Sequence, residues 1–153
     1  MLYFAYGSNL SKHAMQERAP RAKPLIAALL CEHALVFESN EPAGAPEAYF
    51  ANVRASGNAI VPGALYEIDA SDLRALDVYE DVACGVYERV TLVVSRADGI
   101  SEDALLYRMA SGRPRLGLPS RAQLDQIRAG YADWDLDVRV LEAALESIKP
   151  RIA

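Results

Sequence analysis

Two short stretches carry residues whose types and spacing suit anion binding and proton transfer. The first is the turn Tyr6-Gly7-Ser8-Asn9-Leu10, which follows the aromatic-rich run Leu2-Tyr3-Phe4-Ala5-Tyr6. A glycine directly after a buried strand lets the backbone turn sharply and leaves its N–H groups uncovered. With a helix starting near Ser11, those groups converge as an anion-binding nest aided by the helix dipole, suited to a substrate carboxylate. On spacing alone a plain strand-to-helix turn capped by Ser8 or Asn9 is the simpler reading. The stretch has neither a GxGxxG nor a GxxxxGKS pattern, so it gives no support to nucleotide phosphate binding.

The second stretch ends at Glu80. On a helix beginning near Asp72, Leu73, Leu76 and Glu80 fall at i, i+3 and i+7, so a carboxylate continues the stripe that buries two leucines. Burial disfavours the charged form and raises a carboxylate's pKa, which suits it to proton transfer near neutral pH. Periodicity alone equally describes, and favours, an exposed glutamate at a fraying helix end, beside Asp77 and Asp81 at other angles in solvent. Four of the eight tyrosines, Tyr3, Tyr6, Tyr87 and Tyr107, lie in or beside predicted strands. Several hydroxyls pointing into one cavity would make a polar-tipped pocket, although each tyrosine singly reads more simply as core. Arg113, Arg115 and Arg121 read as a solvated loop. His13 and His33 fall in no HExxH or Cys/His cluster, so neither a metal site nor a nucleophilic triad has support.

The elements that must position these residues follow from pattern and punctuation. Strands are expected over 2–6, 33–37, 50–53, 59–68, 86–95 and 104–109, and the four at 2–6, 59–68, 86–95 and 104–109 should share one sheet or barrel. Pro62-Gly63 interrupts its strand and implies an edge, bulge or bend. In the strand at 86–95, Val86, Val90, Leu92 and Val94 line one face and Tyr87, Arg89, Thr91 and Val93 the other. Asp98-Gly99 turns it into the next strand as a hairpin. Asn40 to Pro46 and Ser111 to Pro119 read as loops. Short helices are expected from Ser11 to Arg18 and from Asp72 to about Tyr79, with Asp69 to Asp72 supplying caps. Two more close the chain, capped by Ser120 and Asp137, the last with Val138, Leu141, Leu145 and Ile148 as its apolar stripe.

At 153 residues with 52% apolar side chains the chain forms a single α+β domain over 1–153 with a real core, and disorder is excluded. Sixteen basic against 21 acidic residues leave a net charge of -5, which argues against nucleic-acid backbone as a partner. The longest apolar run, Leu25 to Cys31, is far short of the ~20 residues a bilayer requires. With no basic lead-in or apolar leader the expected location is cytoplasmic, with no membrane partner. Cys31 and Cys84 form no CxxC, and each, among apolar neighbours, reads as a small buried hydrophobe.

Taken together, the motifs resemble the gamma-glutamylcyclotransferase family. Tyr3-Phe4-Ala5-Tyr6-Gly7-Ser8-Asn9-Leu10 is similar to its opening motif, and Arg18-Ala19-Pro20-Arg21-Ala22 to its Arg-x-Pro-x-Ala stretch. Pro62-Gly63-Ala64-Leu65-Tyr66 resembles a strand of that family. Leu76-Asp77-Val78-Tyr79-Glu80, with Gly85-Val86-Tyr87, resembles the segment bearing its catalytic glutamate. Tyr107-Arg108-Met109, Pro119-Ser120 and Ile127-Arg128-Ala129-Gly130 match its closing strand and following helix. The resemblance covers nearly the whole chain in order.

It implies a small mixed β-barrel flanked by helices, with a cavity open at one end. Residue by residue, it implies substrate binding by Tyr3, Phe4, Ala5, Tyr6, Gly7, Ser8 and Asn9, pocket walls at Tyr87 and Tyr107, and Glu80 as general acid/base. The implied reaction needs no cofactor: a γ-glutamyl α-amine attacks its own γ-carbonyl, closing 5-oxoproline and releasing an amine or amino acid. The partner is then a small-molecule γ-glutamyl substrate, and a homodimer is neither required nor excluded by any motif. Alternatives are a catalytically silent binding module of the same fold, or a cyclotransferase for γ-glutamyl amines or a γ-glutamylated biosynthetic intermediate. Two positions depart from the family. Asp81 stands where it usually has glycine, which implies an unusual backbone conformation and a second negative charge beside Glu80. Gln123 stands where an aromatic substrate contact is often found, which leaves the leaving group open.

Overall fold

The computed structural model describes residues 1–40, 48–109 and 115–152, with the backbone alone over 149–152. Five strands close into a mixed barrel: β1 (Leu2–Ala5), β2 (Lys23–Ser39), β3 (Phe50–Glu67), β4 (Tyr87–Arg96) and β5 (Ser101–Met109). The order β3-β1-β5-β4-β2 is closed by pairing of β2 with β3, and a two-residue strand β6 (Arg115–Leu116) extends β2. β1 runs parallel to β5, whereas the remaining pairs are antiparallel. All four strands expected to share a sheet do so.

The largest difference from the sequence pattern lies in β2 and β3, which are longer than the apolar runs that announce them. β3 joins the two strands expected at 50–53 and 59–68. Its pairing with β2 slips between Cys31/Ile60 and His33/Ala55, leaving Glu32 in the left-handed region at φ 58° and residues 56–58 exposed. The gap between the two expected strands is therefore an irregularity within one hairpin. Pro62 sits where β3 is partnered by β2 alone, just before the ladder with β1 begins at Ala64, so its missing N–H breaks no pairing with β1.

Alternation divides the barrel wall. Phe4, Leu65, Leu106 and Val94 are fully buried in its interior. In β4, Arg89, Thr91 and Val93 face outward, but Tyr87 on the same face is buried, because that end of the strand is covered. Both cysteines are exposed, contrary to expectation. Cys31 takes the outward register beside buried Leu30, and Cys84 sits in an exposed 3-10 turn at Val82–Cys84. Arg115 is half-buried in β6 rather than solvated; Arg121 is exposed, and Arg113 lies outside the described residues, as do parts of the two expected loops.

The helices are α1 (Lys12–Arg18), α2 (Ala70–Tyr79), α3 (Arg121–Asp133) and α4 (Val138–Ile152). α2 begins in a reciprocal cap: Asp69 accepts from the Asp72 N–H at 2.9 Å, and Asp72 accepts from the Asp69 N–H at 3.0 Å. The Ser71 hydroxyl first, then the Asp72 N–H, hold the Asp69 carboxyl down to about 2. Leu76 anchors the other end with no exposed surface, a burial that stabilises by about 1.5–3 kcal/mol. α3, capped by the Ser120 hydroxyl, packs against a 3-10 turn at Ser8–Leu10. The Leu10 carbonyl there accepts from the Trp134 indole at 2.9 Å and the Tyr66 hydroxyl at 3.3 Å. Among the described residues no helix is long and apolar enough to cross a membrane.

Gly63 lies where β3 crosses β1, and a Cβ there would fall onto the Ala5 carbonyl oxygen and the Phe4 ring. Gly63→Ala is expected to lower stability by about 1–3 kcal/mol, because neither strand can retreat. Equilibrium denaturation in urea checks this.

Candidate active site

A cavity of about 300 Å³ opens where the end of β1, the C-terminal end of α2 and the start of β4 converge. Tyr3, Tyr6, Gly7, Ser8, Asn9, Glu80, Tyr87 and Tyr107 all line it. Phe4 and Ala5 do not. Their side chains are buried, Phe4 on the interior face of the barrel, so the sequence expectation for these two residues is corrected. For Phe4 the reason is the period of the strand, which turns it away from the face of Tyr3; Ala5 shares that face but is itself fully covered. Tyr3 pairs with Leu105, so Tyr3 and Tyr107 share a face, and the β4–β5 register adds Tyr87 opposite Met109 to it. Tyr6, past the end of β1, escapes this alternation.

Glu80 is the C-cap of α2, where its N–H still closes the last turn on Leu76 at 2.8 Å. Its Oε1 accepts one hydrogen bond, from Asn9 Nδ2 at 3.2 Å, and Oε2 takes none among the described residues. Desolvation pushes the Glu80 carboxyl up from an ordinary 4.5 to about 7, against opposing pulls from the Arg18 charge and the Asn9 amide. A half-buried carboxylate of this kind can both take and return a proton near neutrality.

The surrounding phenols are fixed by their own hydrogen bonds. Tyr3 accepts from Asn9 Nδ2 at 2.8 Å; Tyr6 donates to the Tyr107 carbonyl, Tyr87 to the Ala51 carbonyl at 2.7 Å, and Tyr107 to Asp77 Oδ1 at 2.7 Å. Burial is the first cause that raises all four well above the usual phenol range, so they stay neutral. Asp77, expected in solvent, instead anchors Tyr107 and lies 3.4 Å from Arg89 Nε.

The Gly7 turn also differs from expectation. The Ser8–Leu10 3-10 turn intervenes before α1, whose first turn is capped internally by the Ser11 hydroxyl on the Ala14 N–H at 3.2 Å. Among the described residues, the N–H groups of Gly7, Ser8 and Asn9 take no protein acceptor. These three form the donor set available to an anion.

Sequence reasoning passed over several contributors. Arg18 bonds both Ser8 and Asn9, and its only signal was its place in the Arg-x-Pro stretch. Phe50, Ala51, Tyr79 and Val86 supply wall, and no local pattern marks them. Asp81 and Gln123, noted for departing from the family, both line the cavity, and Asp81 adopts a left-handed conformation at φ 54°.

The model of the family "Gamma-glutamyl cyclotransferase, AIG2-like" matches residues 3–136. The chain belongs to this family. A solved structure described as gamma-glutamyl cyclotransferase is similar with a TM-score of 0.83 at 26% identity, covering 94% of this chain and 85% of that one. An uncharacterized protein from Homo sapiens gives a TM-score of 0.82 at 26% identity with the same coverage. YkqA from Bacillus subtilis shares the fold, with a TM-score of 0.77 at 21% identity over 97% of this chain and 54% of that one. No curated protein gives a significant match. The family's barrel is thus the scaffold here, and Glu80 is the carboxylate this member places between the Gly7 turn and the tyrosine wall.

Because folding raises the Glu80 pKa, the folded state binds the extra proton between about 4.5 and about 7. The contribution of this residue to stability is therefore fully present below the lower value and lost as pH rises through the upper one. Glu80→Gln is expected to gain on wild type in thermal stability across that window and to run parallel above it. Melting curves from pH 4 to 8.5 check the sign.

Proposed function

We propose that the protein is a cofactor-independent γ-glutamylcyclotransferase with Glu80 as its acid/base. The observation that carries the reading is the pairing, in one cavity, of a desolvated carboxylate having one free oxygen with an uncommitted set of backbone donors at Gly7, Ser8 and Asn9. Family membership and a similar gamma-glutamyl cyclotransferase structure support it.

In this reading the three N–H groups hold the α-carboxylate of the γ-glutamyl group or the oxyanion that forms at its γ-carbonyl. The tyrosine wall folds the glutamyl chain so that its α-nitrogen faces its own γ-carbonyl carbon, both reacting groups belonging to one molecule. Glu80 removes a proton from the α-ammonium. The freed nitrogen pair forms the new C–N bond, and the carbonyl pair moves onto oxygen. As that pair returns, the old C–N bond breaks and its electrons leave with the departing nitrogen, which takes the proton held by Glu80. The ring nitrogen gives up its second proton to solvent, and the released amine takes one up as its ammonium; the products are 5-oxoproline and a free amine or amino acid, and the carboxylate is regenerated. A residue with a pKa near 7 serves both half-steps.

A panel of γ-glutamyl amino acids, γ-glutamyl amines and other γ-glutamyl conjugates assayed for 5-oxoproline release tests the reading. At least one is expected to turn over, and Glu80→Gln is expected to reduce kcat by about 100-fold or more with the fold intact. Asp77→Asn and Asp81→Asn should cost much less, since Asn can still accept from Tyr107 and Asp81 is exposed to solvent. A Glu80→Gln variant that works at near wild-type rate would sink the mechanism, and no release from any compound would favour a silent binding module.

A further inference from the structure

Arg18 does not line the cavity, yet it grips the polar end of it from behind. Its Nη1 donates to Ser8 Oγ at 2.9 Å and to Asn9 Oδ1 at 2.6 Å, and its Nη2 donates to Gln126 Oε1 at 3.1 Å. The guanidinium lies over the Tyr79 ring, 3.9 Å from its centroid. Its partners come from the 3-10 turn, from α3 and from the last residue of α2, directly before Glu80.

The chemistry of an amide makes this contact directional. Asn9 offers one acceptor atom and one NH₂ with two donors. With Oδ1 committed to a cation, Nδ2 must point the other way, where it meets the Tyr3 hydroxyl and Glu80 Oε1. The reverse orientation would press the amide oxygen against the carboxylate and an NH₂ against the guanidinium. The oxygen and the nitrogen of the Asn9 side-chain amide are then both engaged, and Asn9 is buried, so rotation about its last bond is closed off.

We propose that Arg18 is a positioning residue for Glu80: by orienting the Asn9 amide and clamping the Ser8–Asn9 turn to the end of α2, it leaves one carboxylate oxygen bound and the other free for the proton. The proposal rests on Glu80 being the acid/base. Around Glu80 stand Tyr3 and Tyr6 at the end of β1, Tyr87 from β4 and Tyr107 from β5, with Tyr79 and Asp81 on either side in the chain. Gln123 and Gln126 face this region from α3 without charge. Tyr3, Tyr6, Tyr87 and Tyr107 are held neutral by burial, so Arg18 is the cation acting on Glu80 among these groups.

The test compares wild type, Arg18→Met and Arg18→Lys in two measurements. One is a carbon-13 NMR titration of the Glu80 carboxyl in ligand-free protein. The other is the pH dependence of kcat and kcat/KM for 5-oxoproline release. Methionine keeps an apolar stem on Tyr79 but loses both charge and fork. It is expected to move the Glu80 midpoint up by about one unit, to carry the rising limb of the rate profile with it, and to lower kcat at pH 7 by about 10-fold. Lysine keeps the charge and holds the midpoint near wild type. A single ammonium cannot bond Ser8 and Asn9 while stacking on Tyr79, so kcat still falls. An unmoved Glu80 midpoint in folded Arg18→Met, or full turnover in Arg18→Lys, would overturn the proposal. If Arg18→Met does not fold, the lysine variant decides, a lowered kcat at unchanged midpoint supporting it. If no γ-glutamyl compound is turned over, the functional reading fails, while the ligand-free titration still shows whether Arg18 governs Glu80.

Discussion

One side-chain amide joins the parts of this molecule that have to meet. Asn9 bonds Tyr3 on β1, Glu80 at the end of α2 and Arg18 at the end of α1, three separate elements, with Glu80 71 residues away in the chain. A buried amide left with an unmade bond costs on the order of 1–3 kcal/mol, so the three contacts stand or fall together. The desolvated Glu80 depends on them more than they depend on it. Its burial is opposed by one hydrogen bond and one nearby cation, enough to keep the carboxyl titratable near neutrality and too little to hold it in the ordinary range.

The barrel supplies the geometry in which that amide can work. β1 is inserted between β3 and β5, parallel to the latter, so its last residues emerge beside the tyrosines of β5 and β4. The two-residue period then sorts the opening motif: Tyr3 goes to the cavity and Phe4 to the barrel interior. From the other side, Gly130 of α3 rests against Leu10 and Ser11, where a Cβ would collide with the Leu10 side chain. The turn bearing Gly7, Ser8 and Asn9 is thus held between a strand end and a helix.

Asp81 shows how the chain accommodates its departure from the family pattern. It takes φ 54° and ψ 42°, a conformation open to glycine at no cost and to aspartate at a modest one. Its N–H bonds the Val78 carbonyl at 3.2 Å, and its own carbonyl accepts from Cys84 and Val86. These bonds pin the corner that ends α2 and starts the approach to β4, so the strain is met by local backbone pairing. The side chain is left at the cavity surface, where it adds an acid group and no bulk beyond the corner.

What the sequence determined by itself is local. The Asp69 and Ser120 caps, the stripe that carries Leu73 and Leu76 to Glu80, the Asp98-Gly99 hairpin and the turn at Gly7 all rest on contacts a few residues apart, and all are present. The family resemblance added the barrel. Tertiary structure alone decided which way the local signals resolve. Glu80 is desolvated by the cavity that distant strands build around it, and its one hydrogen bond comes from Asn9, 71 residues away; the tyrosines point inward because carbonyls and a carboxylate 30 to 101 residues distant accept their protons. Cys31 and Cys84 are exposed although their neighbours are apolar, and Arg18 reaches the site although its segment shows no catalytic pattern. Periodicity reports which side of an element is apolar, but burial and hydrogen bonding are properties of what packs against that side, and that depends on how distant segments pair.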